Sequence, residues 1–389
     1  MIELLLLAIT LIALGWYLAG RVDRWARRRA VVDVPNHRSS HDRPTPTGGG
    51  LAIVGLCLTG LLVAGTCGLV ELNRQWIGYM VAASLIASVS WIDDLRSLSS
   101  RLRLAVHVLA ASIFLACGPC WECIELPWLG TIQFEYWGVL LSFLWLVGMT
   151  NAYNFMDGLD GLAAGQATVA AVAWLLLGGL TGQPAIGLIG LLLLAGSTGF
   201  LIHNWPPARM FMGDVGSTFL GFTFAATGIM ATQQHPRLAT AAVLVVWPFV
   251  FDAGTTFLSR LVRRENVFMA HRSHLYQRLA GTGWPAYKIL LLYSGLSLAG
   301  LLLATRFVFE PVAAGKTIFI VIPTLAAGLW WGVRRREASE AARKTTQLDA
   351  IDADGLAQGE PFWVRISAGS STFEHADAQP THSDVSHVG

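Results

Sequence analysis

Eleven apolar runs, most of them long enough to cross the ~30 Å hydrocarbon layer of a bilayer, take up the greater part of this chain. They fall at 3–20, 50–70, 76–92, 102–118, 136–151, 161–179, 185–203, 216–232, 238–257, 286–304 and 314–333, the fifth being short. Hydrocarbon offers no hydrogen-bond partners, so such runs must satisfy their backbone groups internally, as helices. The expected fold is therefore all-α, a polytopic integral membrane protein of eleven transmembrane helices. Composition agrees: 54% of the residues are hydrophobic and 13% charged, against about 25% charged in a soluble domain. A soluble enzyme, a disordered chain and a disulfide scaffold are excluded. Nucleic acid is not expected as a partner, because no basic stripe interleaved with aromatics occurs.

The arrangement of the charges is more informative than their net value of +2. Arg21, Arg24, Arg27, Arg28, Arg29, Arg38 and Arg43 share one loop; Arg96, Arg101 and Arg103 share the next basic one. Arg260, Arg263, Arg264, Arg272 and Arg278 lie between the ninth and tenth runs, and Arg334, Arg335 and Arg336 follow the last. The intervening loops carry Arg74, Arg237 and Arg306, and none in 119–135 or 180–184. Basic loops stay on the cytoplasmic side, so the N-terminus is expected outside and the C-terminus inside. The first run reads as a retained helix. It contains Glu3, lacks a preceding basic stretch and a small-residue cleavage site, and its arginines follow it. Residues 1–335 are expected to form the transmembrane domain. Residues 345–389, rich in Ala, Ser, Asp and His without a helical period, read as a largely disordered cytoplasmic tail. Cys117, Cys120 and Cys123 have half a metal-ligand spacing and no fourth ligand nearby, which reads as a disulfide or free thiols.

Polar groups at membrane depth are costly and mark function. Asp93 and Asp94 end the third run. Asn151, Asn154, Asp157 and Asp160 lie between the fifth and sixth, and Asn204, Phe211 and Asp214 between the seventh and eighth. Asp252 sits near the inner end of the ninth, followed by His271 and His274. By the charge pattern all of these lie on the cytoplasmic side, where they could share one cleft. Each also has a plain reading, as a solvated helix end, a turn or a surface group. Thr47 precedes a glycine run that could be a linker or a phosphate cradle. Arg101 and Arg103 could simply anchor the chain at the inner face. Oxygen ligands of this kind select Mg²⁺ or Mn²⁺, and the chemistry that uses them this way is phosphoryl transfer. A transporter or flippase is the other class considered. It would bind near the midplane, with internal repeats; no repeat is seen here.

In combination, Thr45-Pro46-Thr47-Gly48-Gly49, Asp93-Asp94 with Arg101-x-Arg103, Asn151-x-x-Asn154-x-x-Asp157-Gly-x-Asp160-Gly-Leu162, Phe211-Met-Gly-Asp214-x-Gly216-Ser217 and His271-x-x-His274 resemble the polyprenyl-phosphate N-acetylhexosamine-1-phosphate transferases. The resemblance covers about 40–335. It implies that undecaprenyl phosphate attacks the β-phosphorus of a UDP-N-acetylhexosamine, releasing UMP and leaving a diphosphate-linked sugar in the bacterial inner membrane. It implies Mg²⁺ on Asn154 and Asp214, Asp93 orienting or deprotonating the lipid phosphate beside Asp94, and Phe211 stacked on uracil. Thr47, Asn151, Asp157, Asp160 and Asn204 would belong to the nucleotide site, and His271 and His274 to the diphosphate or sugar end. A homodimer is also consistent with it. The peptidoglycan member of the family has a Lys where Ser97 stands and consecutive histidines where His271-Arg-Ser-His274 stands. The present form resembles the enzymes that initiate O-antigen or related surface glycans. The UDP-amino sugar, and whether transfer is direct or passes through a phospho-aspartate, stay open at this level.

Overall fold

The computed structural model describes residues 2–35, 43–265 and 272–357. Each apolar run is centred on a helix. In chain order these are α1 (Ile2–Arg29), α2 (Gly50–Thr66), α3 (Arg74–Arg96), α4 (Ser100–Ala116), α5 (Trp137–Phe155), α6 (Leu162–Leu180), α7 (Pro184–Asn204), α8 (Asp214–Thr232) and α9 (Arg237–Val262). A seven-residue helix α10 (Leu275–Gly281) precedes α11 (Ala286–Phe309) and α12 (Pro311–Ala357). The fold is thus nearly all-α and polytopic. Among the described residues eight helices, α1, α3, α6, α7, α8, α9, α11 and α12, are long and apolar enough to span a bilayer. Eleven spans would also need α2, at 17 residues, α4 and α5.

Two compact units divide at residue 330. The second, from Trp331, contains the outer part of α12, where the Arg335 guanidinium lies 5.2 Å from the Trp331 ring centroid. Here the expectation of a disordered segment from 345 needs correction, since helix continues to Ala357. Extending an existing helix needs no new nucleus, and Leu348, Ala350, Ala353 and Leu356 do not oppose it. Residues 358–389 lie outside the described chain.

The loop 119–135 also holds structure that hydropathy does not reveal. Strands β3 (Cys123–Leu126) and β4 (Gly130–Gln133) form an antiparallel hairpin. Arg237 Nε donates to both Glu125 oxygens at 3.0 Å, and Thr240 Oγ1 to the Glu125 carbonyl at 2.6 Å, which ties the hairpin to the start of α9. A two-residue pair, β1 (Val32–Asp33) with β2 (Thr45–Pro46), follows α1.

α8 is the central helix of the first unit, with every residue from Val215 to Thr232 buried. Its hydroxyls bind those of α3, Thr223 to Tyr79 at 3.1 Å and Thr218 to Ser90 at 2.8 Å. Small residues let other helices approach backbone to backbone. A Cβ on Gly178 of α6 would strike the backbone of Gly187 on α7, and one on Gly50 of α2 would strike Gly216 on α8. This alternation of helix directions brings the C-termini of α3, α5 and α7 and the N-termini of α4, α6 and α8 to one end of the bundle. Asp214 stands there as the first residue of α8.

Candidate active site

Asp93 is buried in the last turn of α3. The chain leaves that helix through Ser97 in a left-handed conformation, φ 49°. That turn carries the Leu98 amide back onto Asp93 Oδ1. The other oxygen, Oδ2, accepts from Arg103 Nη1 at 3.1 Å, and the same nitrogen donates to Asp214 Oδ2 at 2.9 Å. Arg103 on α4 therefore bridges carboxylates from α3 and α8. Asn154, at the end of α5, completes the junction: its Nδ2 donates to Asp214 Oδ1 at 2.9 Å and to Ser217 Oγ at 3.0 Å.

Asp94 serves a different purpose from its neighbour. Its Oδ1 accepts from the Asp214 amide at 2.7 Å and its Oδ2 from the Val215 amide at 3.1 Å. Gly213 precedes α8 at φ 77° and offers no capping side chain, so the cap comes from α3. A carboxylate at a helix N-terminus also opposes the positive end of the macrodipole. A Cβ on Gly213 would sit 2.6 Å from Asp94 Oδ2, which explains glycine there. Asp94 thus acts by holding Asp214 in place. Asp94→Ala is expected to cost about 2 kcal/mol of stability and to lower turnover at least about tenfold through a displaced Asp214. Thermal unfolding and initial rates measured on one preparation check both.

Asn204 is buried and fully engaged. Its Oδ1 accepts from the Gly161 amide and its Nδ2 donates to the Met210 carbonyl, both at 2.9 Å. Asp160 Oδ2 accepts from the Ala208 amide at 2.9 Å. These bonds lock the 157–161 and 204–213 loops together. The end of β2 and the segment after it pair with the same loop, with Phe211 N donating to the Pro46 carbonyl at 2.8 Å and Gly49 N to the Phe211 carbonyl at 2.9 Å.

The loops enclose a polar cavity of about 700 Å³. Thr47, Asp93, Asp94, Arg103, Asn154, Asp157, Asp160, Asn204, Phe211 and Asp214 all line it. Burial raises the pKa of Asp157 well above the ordinary carboxylate range, and Asp214, Asp94 and Asp160 add to the rise. Six acidic side chains, Asp33 among them, against one arginine leave an excess of negative charge that would repel an anionic ligand. A hard cation fits this donor set. Among the described residues no three His, Cys, Asp or Glu side chains form a metal cluster of their own. A magnesium-type site needs only one or two protein carboxylates and completes its shell with phosphate oxygens and water.

A second cavity of about 580 Å³, mainly apolar, adjoins the first and shares Arg103, Asn154 and Asp214 with it. Asn151 and His274 face this cavity, not the polar one, so the structure separates them from the residues grouped with them by sequence. Asn151 donates to the Val147 carbonyl at 2.7 Å. His274 is buried and caps α10, with its Nδ1 3.3 Å from Asp252 Oδ1. His271 lies outside the described residues. Arg103 was legible only as one of two arginines near a helix start. Its partner Arg101 is exposed, and only helical phase turns one inward and the other out.

Residues 76–232 match the sequence model of the family described as Glycosyl transferase family 4. The chain is 30% identical over 268 residues to the probable undecaprenyl-phosphate N-acetylglucosaminyl 1-phosphate transferase of Bacillus subtilis, covering 67% of this chain and 73% of the relative. It is 30% identical over 360 residues to the decaprenyl-phosphate N-acetylglucosaminephosphotransferase of Mycobacterium leprae, covering 83% and 89%. It is 29% identical over 268 residues to the phospho-N-acetylmuramoyl-pentapeptide-transferase of Lactiplantibacillus plantarum, covering 65% and 81%. With such relatives matched over most of their length, the chain belongs to glycosyl transferase family 4, the polyprenyl-phosphate N-acetylhexosamine-1-phosphate transferases.

Proposed function

We propose that this protein transfers an N-acetylhexosamine-1-phosphate from a UDP-sugar to undecaprenyl phosphate, releasing UMP, as the first lipid-linked step of O-antigen or related surface polysaccharide synthesis. One observation carries the reading: a carboxylate-lined cavity and an apolar cavity meet at Arg103, Asn154 and Asp214. A nucleotide diphosphate suits the first and a prenyl chain the second, so donor and acceptor phosphates would meet at the shared residues. Such positioning supplies much of the rate in phosphoryl transfer.

Asn154 and Asp214 would hold Mg²⁺, or Mn²⁺, with Asp157 and Asp160 nearby. When bound, the cation offsets the charge of the diphosphate and of the departing UMP. Asp93 would orient the acceptor phosphate and accept any proton it carries, while Arg103 keeps Asp93 and Asp214 in register. An acceptor phosphate oxygen then bonds to the β-phosphorus as the bond between that phosphorus and the bridging oxygen breaks. The electron pair leaves with UMP. Phe211 would stack on the uracil, and Thr47 would face the nucleotide phosphates. The protein would sit in the bacterial inner membrane with this end of the bundle cytoplasmic.

The names of two relatives specify N-acetylglucosamine, so UDP-GlcNAc heads the expected donors, ahead of UDP-GalNAc, UDP-FucNAc and UDP-QuiNAc. The purified protein, given undecaprenyl phosphate and Mg²⁺, should release UMP from one of the four and lose activity in EDTA. No release from any of them rejects the reading. Turnover only with UDP-MurNAc-pentapeptide would move the protein to peptidoglycan synthesis, against the Ser97 substitution.

A further inference from the structure

We infer that His107 is a binding residue for the phosphate end of the acceptor lipid, an inference that rests on the function proposed above. His107 lies one turn beyond Arg103 on α4 and is buried, 5% exposed. Ser100, Arg103, Leu104 and His107 all line the apolar cavity, a spacing that puts them on one helix face. The ring Nδ1 is buried and has no hydrogen-bond partner.

A buried polar nitrogen without a partner is costly and uncommon. The Trp145 indole nitrogen, on the same cavity wall, is also buried without a partner. Two unsatisfied groups on a mostly apolar wall point to a ligand that brings oxygen into a hydrocarbon setting. The charges of that wall indicate which ligand. Two arginines, Arg103 and Arg260, line it with the rings of His107 and His274, against Asp214 as its carboxylate, whereas the polar cavity has six carboxyl groups and one arginine. An amphiphile with an anionic head beside a hydrocarbon chain meets both conditions; a nucleotide does not. The head would sit between Arg103 and His107, with its phosphate turned toward Asp93 and Asp214.

The test is equilibrium binding of undecaprenyl phosphate to the full-length protein in nanodiscs, which requires no donor sugar. Undecaprenol, the same chain without phosphate, is the control. His107→Leu should weaken undecaprenyl phosphate binding about 20-fold, as expected for one hydrogen bond to a charged group, and leave undecaprenol binding unchanged. His107→Asn places an amide nitrogen near the position of Nδ1 and should restore most of the affinity. His107→Gln, which reaches the position of Nε2 instead, should not. Equal binding by wild type and His107→Leu overturns the inference, as does an equal loss of undecaprenol, which would make the ring a packing contact with the chain. If His107→Leu fails to fold, equal affinities for the Asn and Gln variants overturn it. Wild-type protein that binds no undecaprenyl phosphate rejects the proposed function and the inference together. Wild-type binding with an indifferent His107 rejects the inference alone.

Discussion

Asp214→Ala is expected to reduce turnover by about 10³-fold or more, the scale for removing a charged group aimed at the reacting phosphates, while stability changes by no more than about 1 kcal/mol. The asymmetry follows from its position. Asp214 begins the buried central helix, but its side chain is 30% exposed and its partners, Arg103 and Asn154, border two cavities. Removing it leaves Arg103 on Asp93, with water and cavity space around it. Asp214→Asn separates charge from shape, because the amide preserves size and a hydrogen bond to Asn154. A comparable loss in that variant would assign the effect to charge. UMP release and thermal unfolding, measured together, decide the matter. An active Asp214→Ala protein would remove this residue from the mechanism.

Asp252→Ala should instead strike stability. Asp252 is fully buried in α9. Its Oδ1 accepts from the Leu275 amide at 2.8 Å, and its Oδ2 from the Tyr276 amide at 3.1 Å and the Tyr293 hydroxyl at 2.6 Å. One carboxylate therefore caps α10 and binds it to α9 and α11. Deleting it leaves several buried donors unsatisfied, an expected cost of about 3–5 kcal/mol. Hydrogen exchange of the 275–281 amides should rise sharply and the unfolding midpoint should fall. Amides as protected as in wild type would show that α10 is held by other contacts. Activity should fall as well, because Tyr276 Oη donates to the Phe155 carbonyl at 2.9 Å, next to Asn154.

Asp94 and Asp252 solve the same problem in two places. Each stands inside one helix and caps the N-terminus of another: Asp94 covers α8, whose preceding Gly213 has no side chain, and Asp252 binds the Leu275 and Tyr276 amides of α10 beside the His274–Gln277 capping pair. In the sequence both appear only as acids near the ends of apolar runs, indistinguishable from Asp93. Which acid faces a ligand and which faces backbone amides depends on helical phase and on where the next helix begins. Asn151 and Asn154 show the same limit. They are three residues apart and lie on neighbouring faces of α5, yet the first looks into the apolar cavity and the second donates to Asp214. The hairpin at 123–133 was hidden because its strands are short and mixed in polarity, so neither hydropathy nor a long alternation marks them.

The positions of the helices and most of the candidate polar residues were legible in the sequence alone. Apolar runs of bilayer length can satisfy their backbones only as helices, and a polar group interrupting such a run needs a functional reason to persist. The tertiary structure decided which of those polar groups meet. Small residues allow close helix approach, and that packing sets the rotation of each helix about its axis. Rotation assigned Arg103 to the bridge, Asp94 to a cap and His107 to the apolar wall, and one-dimensional spacing carries no record of it.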